Sequence, residues 1–128
     1  MNVIHTNDAP AAIGPYSQAI RSGNLLFTSG QLGINPQTGE LEEGGVTAQT
    51  ERLILNLKAV LEAAGTDLAH VVKTTCYLDS IGDFAAFNAV YGKYFTEKPA
   101  RSCFEVAALP KGALAEVEVV AEIPQENR

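Results

Sequence analysis

Tryptophan is absent from this 128-residue chain, and cysteine and histidine occur only twice each. Cys76 and Cys103 form no C-x-x-C pair, and His5 and His70 stand far apart, so no cluster has zinc spacing. A metal is therefore not expected, and a disulfide is little favoured in a reducing compartment. No uninterrupted apolar run approaches the roughly 18 residues that a membrane helix needs. The opening "MNVIHTNDAP" lacks the basic and apolar regions of a secretory signal, so a cytoplasmic protein is expected. Basic residues are also scarce, nine Lys and Arg against fifteen Asp and Glu, a net charge of −6. An acidic surface repels phosphate backbones and anionic lipid, so neither nucleic acid nor membrane is an expected partner. Walker and G-x-G-x-x-G phosphate loops are missing as well.

What is present is a 46% apolar composition, enough for a core, over a length that suits one domain spanning residues 1–128. "AIRSGNLLFTSG" reads as two short strands around a turn at residues 22–24, followed by a loop over residues 34–45. Leu53, Ile54, Leu57, Val60, Leu61 and Ala64 then recur at helical spacing, with Thr47 as N-cap and Gly65 just past the end. "HVVKTTCYL", residues 70–78, is a β-branched strand. Ser80 can cap a second helix whose stripe is Phe84, Phe87, Tyr91, Tyr94 and Phe95. After Pro99, "ARSCFEVAAL" gives another strand, and residues 115–123 alternate with period two. The two helical crossovers imply an α+β fold, a mixed β-sheet with both helices on one face. The other face, carrying Glu116, Glu118, Val120 and Glu122, stays uncovered and partly apolar, which predicts a homo-oligomer with clefts between subunits.

Arg101 opens the strand after Pro99. A guanidinium can take both oxygens of a carboxylate at once, or it can be a solvated charge paired with one of the acids. Cys103 shares its strand parity, with no histidine placed to activate the thiol. A partly enclosed glutamate on the Glu116 face could handle protons, whereas open carboxylates there would simply be solvated. "GPYSQA" and "TSGQ" cluster Tyr16, Ser17, Gln18, Ser29 and Gln31 around turn glycines.

Taken in order, "AAIGPYSQAI", "LLFTSGQLGINPQTGEL", "VVKTTCYL", "DFAAFNAVYGKYF" and "PARSCFEVAALPKGALAEVEVVA" resemble the reactive intermediate deaminase family (Rid, formerly YjgF) over nearly the whole chain. The arginine at 101 is similar to that of its archetypal enamine/imine deaminase branch. The resemblance implies a chorismate-mutase-like fold, a homotrimer with sheets facing inward, three inter-subunit sites and no cofactor. It implies hydrolysis of 2-aminoacrylate/2-iminopropanoate and 2-aminocrotonate/2-iminobutanoate to 2-keto acids and ammonia, a form of metabolite damage control.

By the same resemblance Arg101 binds the substrate carboxylate and Glu116 orients or activates water. The backbone carbonyl of Cys103 accepts from the imine nitrogen, Tyr16 and Ser29 line the pocket, and Asn88 is structural or pocket-adjacent. Arg21, Arg52 and Arg128 match no substrate position. The alternative is a small-carboxylate (2-keto acid) sensor without turnover; RNA cleavage and chaperone-like roles have also been assigned to relatives. One departure is clear: "TEKPA" before Arg101 is several residues shorter than in many relatives.

Overall fold

The computed structural model describes residues 1–125; Arg128 lies outside them. The strands are β1 (Asn2–Ile4), β2 (Ala19–Ser22), β3 (Leu25–Thr28), β4 (Gln31–Leu32), β5 (Val71–Leu78), β6 (Ala100–Glu105) and β7 (Ala115–Glu122). The helices are α1 (Gly45–Ala63) and α2 (Phe84–Tyr94). The sheet runs β1-β2-β3-β7-β5-β6, with β4 also paired to β7. Only β5 and β6 are parallel, as the α2 crossover between them requires. β1 and β4, three and two residues long, are too short for periodicity to reveal and were not expected.

Both helices cover one sheet face, as expected. Leu53, Ile54, Leu57, Val60 and Leu61 of α1 are fully buried, against Val117, Val119 and Ala121 of β7 and Cys76 and Leu78 of β5. Each such aliphatic side chain contributes about 1.5–3 kcal/mol by leaving water. Thr47 is not the N-cap. The helix begins two residues earlier, at Gly45, after Gly44 at φ 116°, and no side chain caps it. Its end matches the expectation: Gly65 is left-handed at φ 85°, its N–H bonds Glu62 O at 3.1 Å and Thr66 N–H bonds Leu61 O at 3.0 Å. Thr66 Oγ1 then donates to Glu122 O at 2.6 Å, tying the helix end to β7.

In α2 the apolar stripe is only partly core. Phe87, Tyr91 and Phe95 are buried, but Phe84 stays 36% exposed. Ser80 does cap, accepting from Gly82 N–H at 3.2 Å, in a short 3-10 turn that leads into α2. The strand after Pro99 is shorter than expected and stops at Glu105.

The uncovered face carries a continuous cross-strand row. Val3 pairs with Ile20, Ile20 with Phe27 and Phe27 with Val120. Val3 is 68% and Phe27 45% exposed.

Candidate functional site

Two regions gather the expected site residues, on opposite faces of the sheet. The first lies where the chain steps from β3, the second strand of the hairpin, to β4. β3 pairs with one half of β7 and β4 with the other, and Ser29 and Gly30 form the step between them. Thr28 fills the broken ladder: its hydroxyl accepts from Val119 N–H at 3.0 Å and faces Val119 O at 3.4 Å. Beside the step stands Glu116, opposite Leu32 of β4. A Cβ on Gly30 would fall 2.6 Å from Glu116 Oε2, so only glycine lets the carboxylate lie across this backbone.

Tyr16 and Ser29 reach the same place through the N-terminal segment. Buried Gln18 clamps that segment, accepting from Thr6 N–H at 2.7 Å and donating to Thr6 O at 3.0 Å and Pro10 O at 2.9 Å. Ser29 Oγ donates to Ser17 O at 2.6 Å, which joins the two quoted turn motifs. Tyr16, Ser29, Gly30, Glu116 and Glu118 thus line one cavity of about 660 Å³. Burial pushes the Glu116 carboxyl above its ordinary 4.5, and the neighbouring Glu118 charge adds to the rise. Glu118 accepts a hydrogen bond from Tyr77, which stands directly opposite Glu116 on β5; that bond holds the Tyr77 phenol up at about 12. No sequence pattern marks Tyr77, because only the register of β5 on β7 places it there.

The second region lies at the outer edge of the sheet. Arg101 on β6 pairs with Thr74 of β5, whose buried side chain marks the helix-covered face. There the guanidinium meets α2. Nη1 donates to Asn88 Oδ1 at 2.7 Å, and Cζ lies 5.4 Å from the Phe84 ring centre and 4.8 Å from that of Tyr91. Tyr91 is itself fixed, its hydroxyl 2.8 Å from Thr74 Oγ1 and its ring stacked on Phe95 at 4.4 Å. Phe84 therefore has a task outside the core: its ring flanks the cation. No carboxylate pairs with Arg101 among the described residues, where the one salt bridge joins His70 and Asp67. Arg21 and Arg52 are otherwise engaged, on Gly23 O at 2.9 Å and Asn56 Oδ1 at 3.1 Å.

Cys103 faces the same way as Arg101, as its parity requires, and registers with the core residue Cys76. Burial raises the Cys103 thiol, with nearby Arg101 pulling the other way. Burial takes Cys76 to about 12. Neither is an activated thiolate. The backbone is better placed. Val106 N–H bonds back to Leu78 O at 2.9 Å, so alternate residues of β6 turn their amides toward β5. Those of Arg101 and Cys103 then point out from the sheet edge.

Arg101 and Glu116 are not brought together within one chain. Three residues along and two strands across, their Cα atoms stand roughly 14 Å apart by ladder spacing, and their side chains leave opposite faces. Among the described residues no group of three or more His, Cys, Asp or Glu could hold a metal, and no helix is long and apolar enough to cross a membrane.

Comparison with known proteins agrees with this fold. Residues 6–123 match the family described as endoribonuclease L-PSP. A RutC family protein of Sinorhizobium fredii is 55% identical over 121 residues, covering 94% of this chain and 96% of that protein. The crystal structure of RidA from an Antarctic Psychrobacter superposes with a TM-score of 0.92 at 47% identity, covering 96% of this chain and 100% of that one. That of Escherichia coli TdcF with bound serine gives 0.91 at 40% identity, covering 95% and 98%.

Proposed function

The chain belongs to the endoribonuclease L-PSP family, the family of RidA and YjgF, and from that premise we propose that it is an enamine/imine deaminase. Its substrates are 2-iminopropanoate and 2-iminobutanoate, with their enamine tautomers 2-aminoacrylate and 2-aminocrotonate. The observation that carries this is an arginine in an acidic protein left without a carboxylate. Asn88 takes one nitrogen of Arg101 and aromatic rings flank the guanidinium, so further N–H groups remain for a ligand anion. The serine held by the TdcF relative is a small amino acid of the size this site would take.

A second copy completes the site. Arg101 and Glu116 cannot grip one small molecule from opposite faces of one sheet, and the row Val3-Ile20-Phe27-Val120 offers an apolar surface for self-association. We infer a homotrimer whose sheets face inward, with Arg101 and the outward backbone of Cys103 from one subunit. Tyr16, Ser29 and Glu116 come from the next.

Arg101 then holds the substrate carboxylate and fixes the adjacent C=N carbon. Glu116, ionised, takes a proton from water as its oxygen bonds that carbon, and returns it to the nitrogen. Glu116 then carries the hydroxyl proton of the carbinolamine to its amino group, so that the C=O bond forms as the C–N bond breaks and ammonia leaves, giving the 2-keto acid. The raised proton affinity of Glu116 suits both the taking and the returning. Cys103 acts through its carbonyl, accepting from the imine N–H. Asn88 orients Arg101. No cofactor is required, and a net charge of −6 disfavours RNA as the substrate.

The test is keto-acid release from 2-aminoacrylate and 2-aminocrotonate, generated in place by a pyridoxal-phosphate dehydratase. Acceleration over the spontaneous rate, lost in Arg101→Ala, supports the enzyme. Binding of 2-keto acids without any acceleration would make the protein a small-carboxylate sensor instead.

A further inference from the structure

The cavity at the sheet edge is bordered by a second basic residue, the exposed Lys98. About 520 Å³ in volume, it is lined by Asn88 and Tyr91 of α2, by Arg101, and by Thr96, Lys98 and Pro99 of the short connection between them; Glu97 of that connection is not part of the lining. No acidic side chain lines it, although acids outnumber bases fifteen to nine in the chain. Neither Lys98 nor Arg101 makes a salt bridge among the described residues. Two positive charges share one pocket with no internal counter-ion, and such a pocket attracts anions more strongly than one guanidinium would.

Lys98 also has an unusual backbone conformation. It is left-handed, at φ 53°, one of only two non-glycine residues with positive φ among those described. Its N–H bonds Phe95 O at 3.3 Å, closing the tight turn that the short connection requires. Glycine would adopt this conformation without the clash that a Cβ brings. The chain instead carries a long cationic side chain there, three residues before the arginine and on the border of the same cavity.

We propose that Lys98 and Arg101 form a two-cation site, so that the protein accepts 2-imino acids bearing a second carboxylate on the side chain. This deepens the deaminase reading and rests on it for turnover, though not for binding. Arg101 takes the carboxylate next to the C=N carbon, and Lys98, a point charge on a flexible stem, takes the one at the far end. The chemistry at the C=N carbon is unchanged. Water adds, ammonia leaves, and the distal carboxylate is a spectator that sets affinity. The reactions that supply such substrates are those that oxidise acidic amino acids to their imines.

A matched pair of ligands isolates the second charge. 2-Oxoglutarate and 2-oxopentanoate have the same chain length and differ by one terminal carboxylate. Their dissociation constants are measured by calorimetry for the wild type, Lys98→Gly and Lys98→Met. Glycine removes the charge and relieves the backbone; methionine removes the charge and keeps the length. The wild type should prefer 2-oxoglutarate by about three- to fivefold, the scale of a solvent-exposed ion pair. The ratio should fall to near one in both variants and shrink with added salt. Equal affinities in the wild type, a preference that survives both substitutions, or failure to bind either acid would each overturn the proposal. The deaminase reading is judged separately, by wild-type turnover of monocarboxylate imines.

Discussion

Asn88 Oδ1 receives Arg101 Nη1 at 2.7 Å, and this contact sets the attitude of the cation. The guanidinium cannot turn inward toward the sheet, because Tyr91 is held in place by Thr74. Its remaining donors are left for a ligand. An amide is the right acceptor for this purpose: it orients the cation without neutralising it.

Asn88→Asp should therefore harm the site more than Asn88→Ala. A carboxylate at 88 would pair with Arg101 and compete with the substrate anion, whereas alanine only loosens the guanidinium. The expected readout is a KM for 2-iminopropanoate raised by about tenfold or more in the aspartate variant and by a few-fold in the alanine variant. Added salt should partly restore the former. An aspartate variant milder than alanine would remove Asn88 from its orienting role.

Arg101→Ala should lower kcat/KM by roughly 10²-fold, the loss of about 3 kcal/mol of charge-assisted hydrogen bonding. Arg101→Lys should fall between, since it keeps the charge and loses the fork. Thermal unfolding should shift little in either variant, because the residue is only partly buried, on an edge strand, and carries no salt bridge among the described residues. A large drop in melting temperature would mean that the activity loss reports folding instead.

Much of this was legible from pattern alone. Period two over residues 115–122 told which face of β7 carries the glutamates, and helical spacing over 53–64 told which face of α1 is buried. Parity on β6 told that Arg101 and Cys103 point the same way. The start of α1 is not legible in the same way, because two left-handed glycines, which set the turn through their backbone, replace a side-chain cap. Phe84 looked like core because spacing cannot distinguish an apolar neighbour from a cation. Tyr77, Gly30 and Lys98 act through strand register, close approach and backbone conformation, none of which has a periodic signature. The separation of Arg101 from Glu116 needed the order of strands in space, β7-β5-β6, which differs from their order in sequence.

Gly30→Ala should impair catalysis with little cost to the fold. The new methyl would meet the end of the Glu116 side chain, which is flexible enough to move aside. The stability change should stay within about 1 kcal/mol. Hydrolysis should fall by about tenfold or more as the carboxylate leaves its position. Retained activity would show that the position of Glu116 across Gly30 is not the working one.

Glu116 also gives a pH signature. Its proton affinity is raised in the folded state by burial and by Glu118, so ionising it opposes folding. The contribution to stability is complete below the ordinary carboxylate value and is lost as pH rises through the raised one. Glu116→Gln, which stays neutral, should therefore gain stability relative to wild type as pH increases across that window. Activity should move oppositely, falling in the wild type as acid protonates the base, with the midpoint above the ordinary 4.5. Denaturant titrations and rate profiles from pH 4 to 8 measure both. A wild-type acid limb at or below the ordinary value would remove Glu116 as the base.

Because Arg101 and Glu116 leave opposite faces of one sheet, the inferred trimer makes a prediction that a self-contained subunit cannot. Arg101→Ala and Glu116→Gln should each lose most activity alone, but they damage different halves of every site. Unfolding the two proteins together and refolding them yields hybrid trimers. Each hybrid has one interface where an intact Arg101 meets an intact Glu116, so random mixing should restore about a quarter of wild-type activity. If both residues served the same site from one chain, mixing would restore nothing. A control separates assembly from chemistry: Phe27→Glu places a charge in the exposed row Val3-Ile20-Phe27-Val120. It should lower the mass seen by light scattering to that of one chain. Complementation should then disappear when Phe27→Glu is built into both partners, since the Arg101 and Glu116 halves no longer meet.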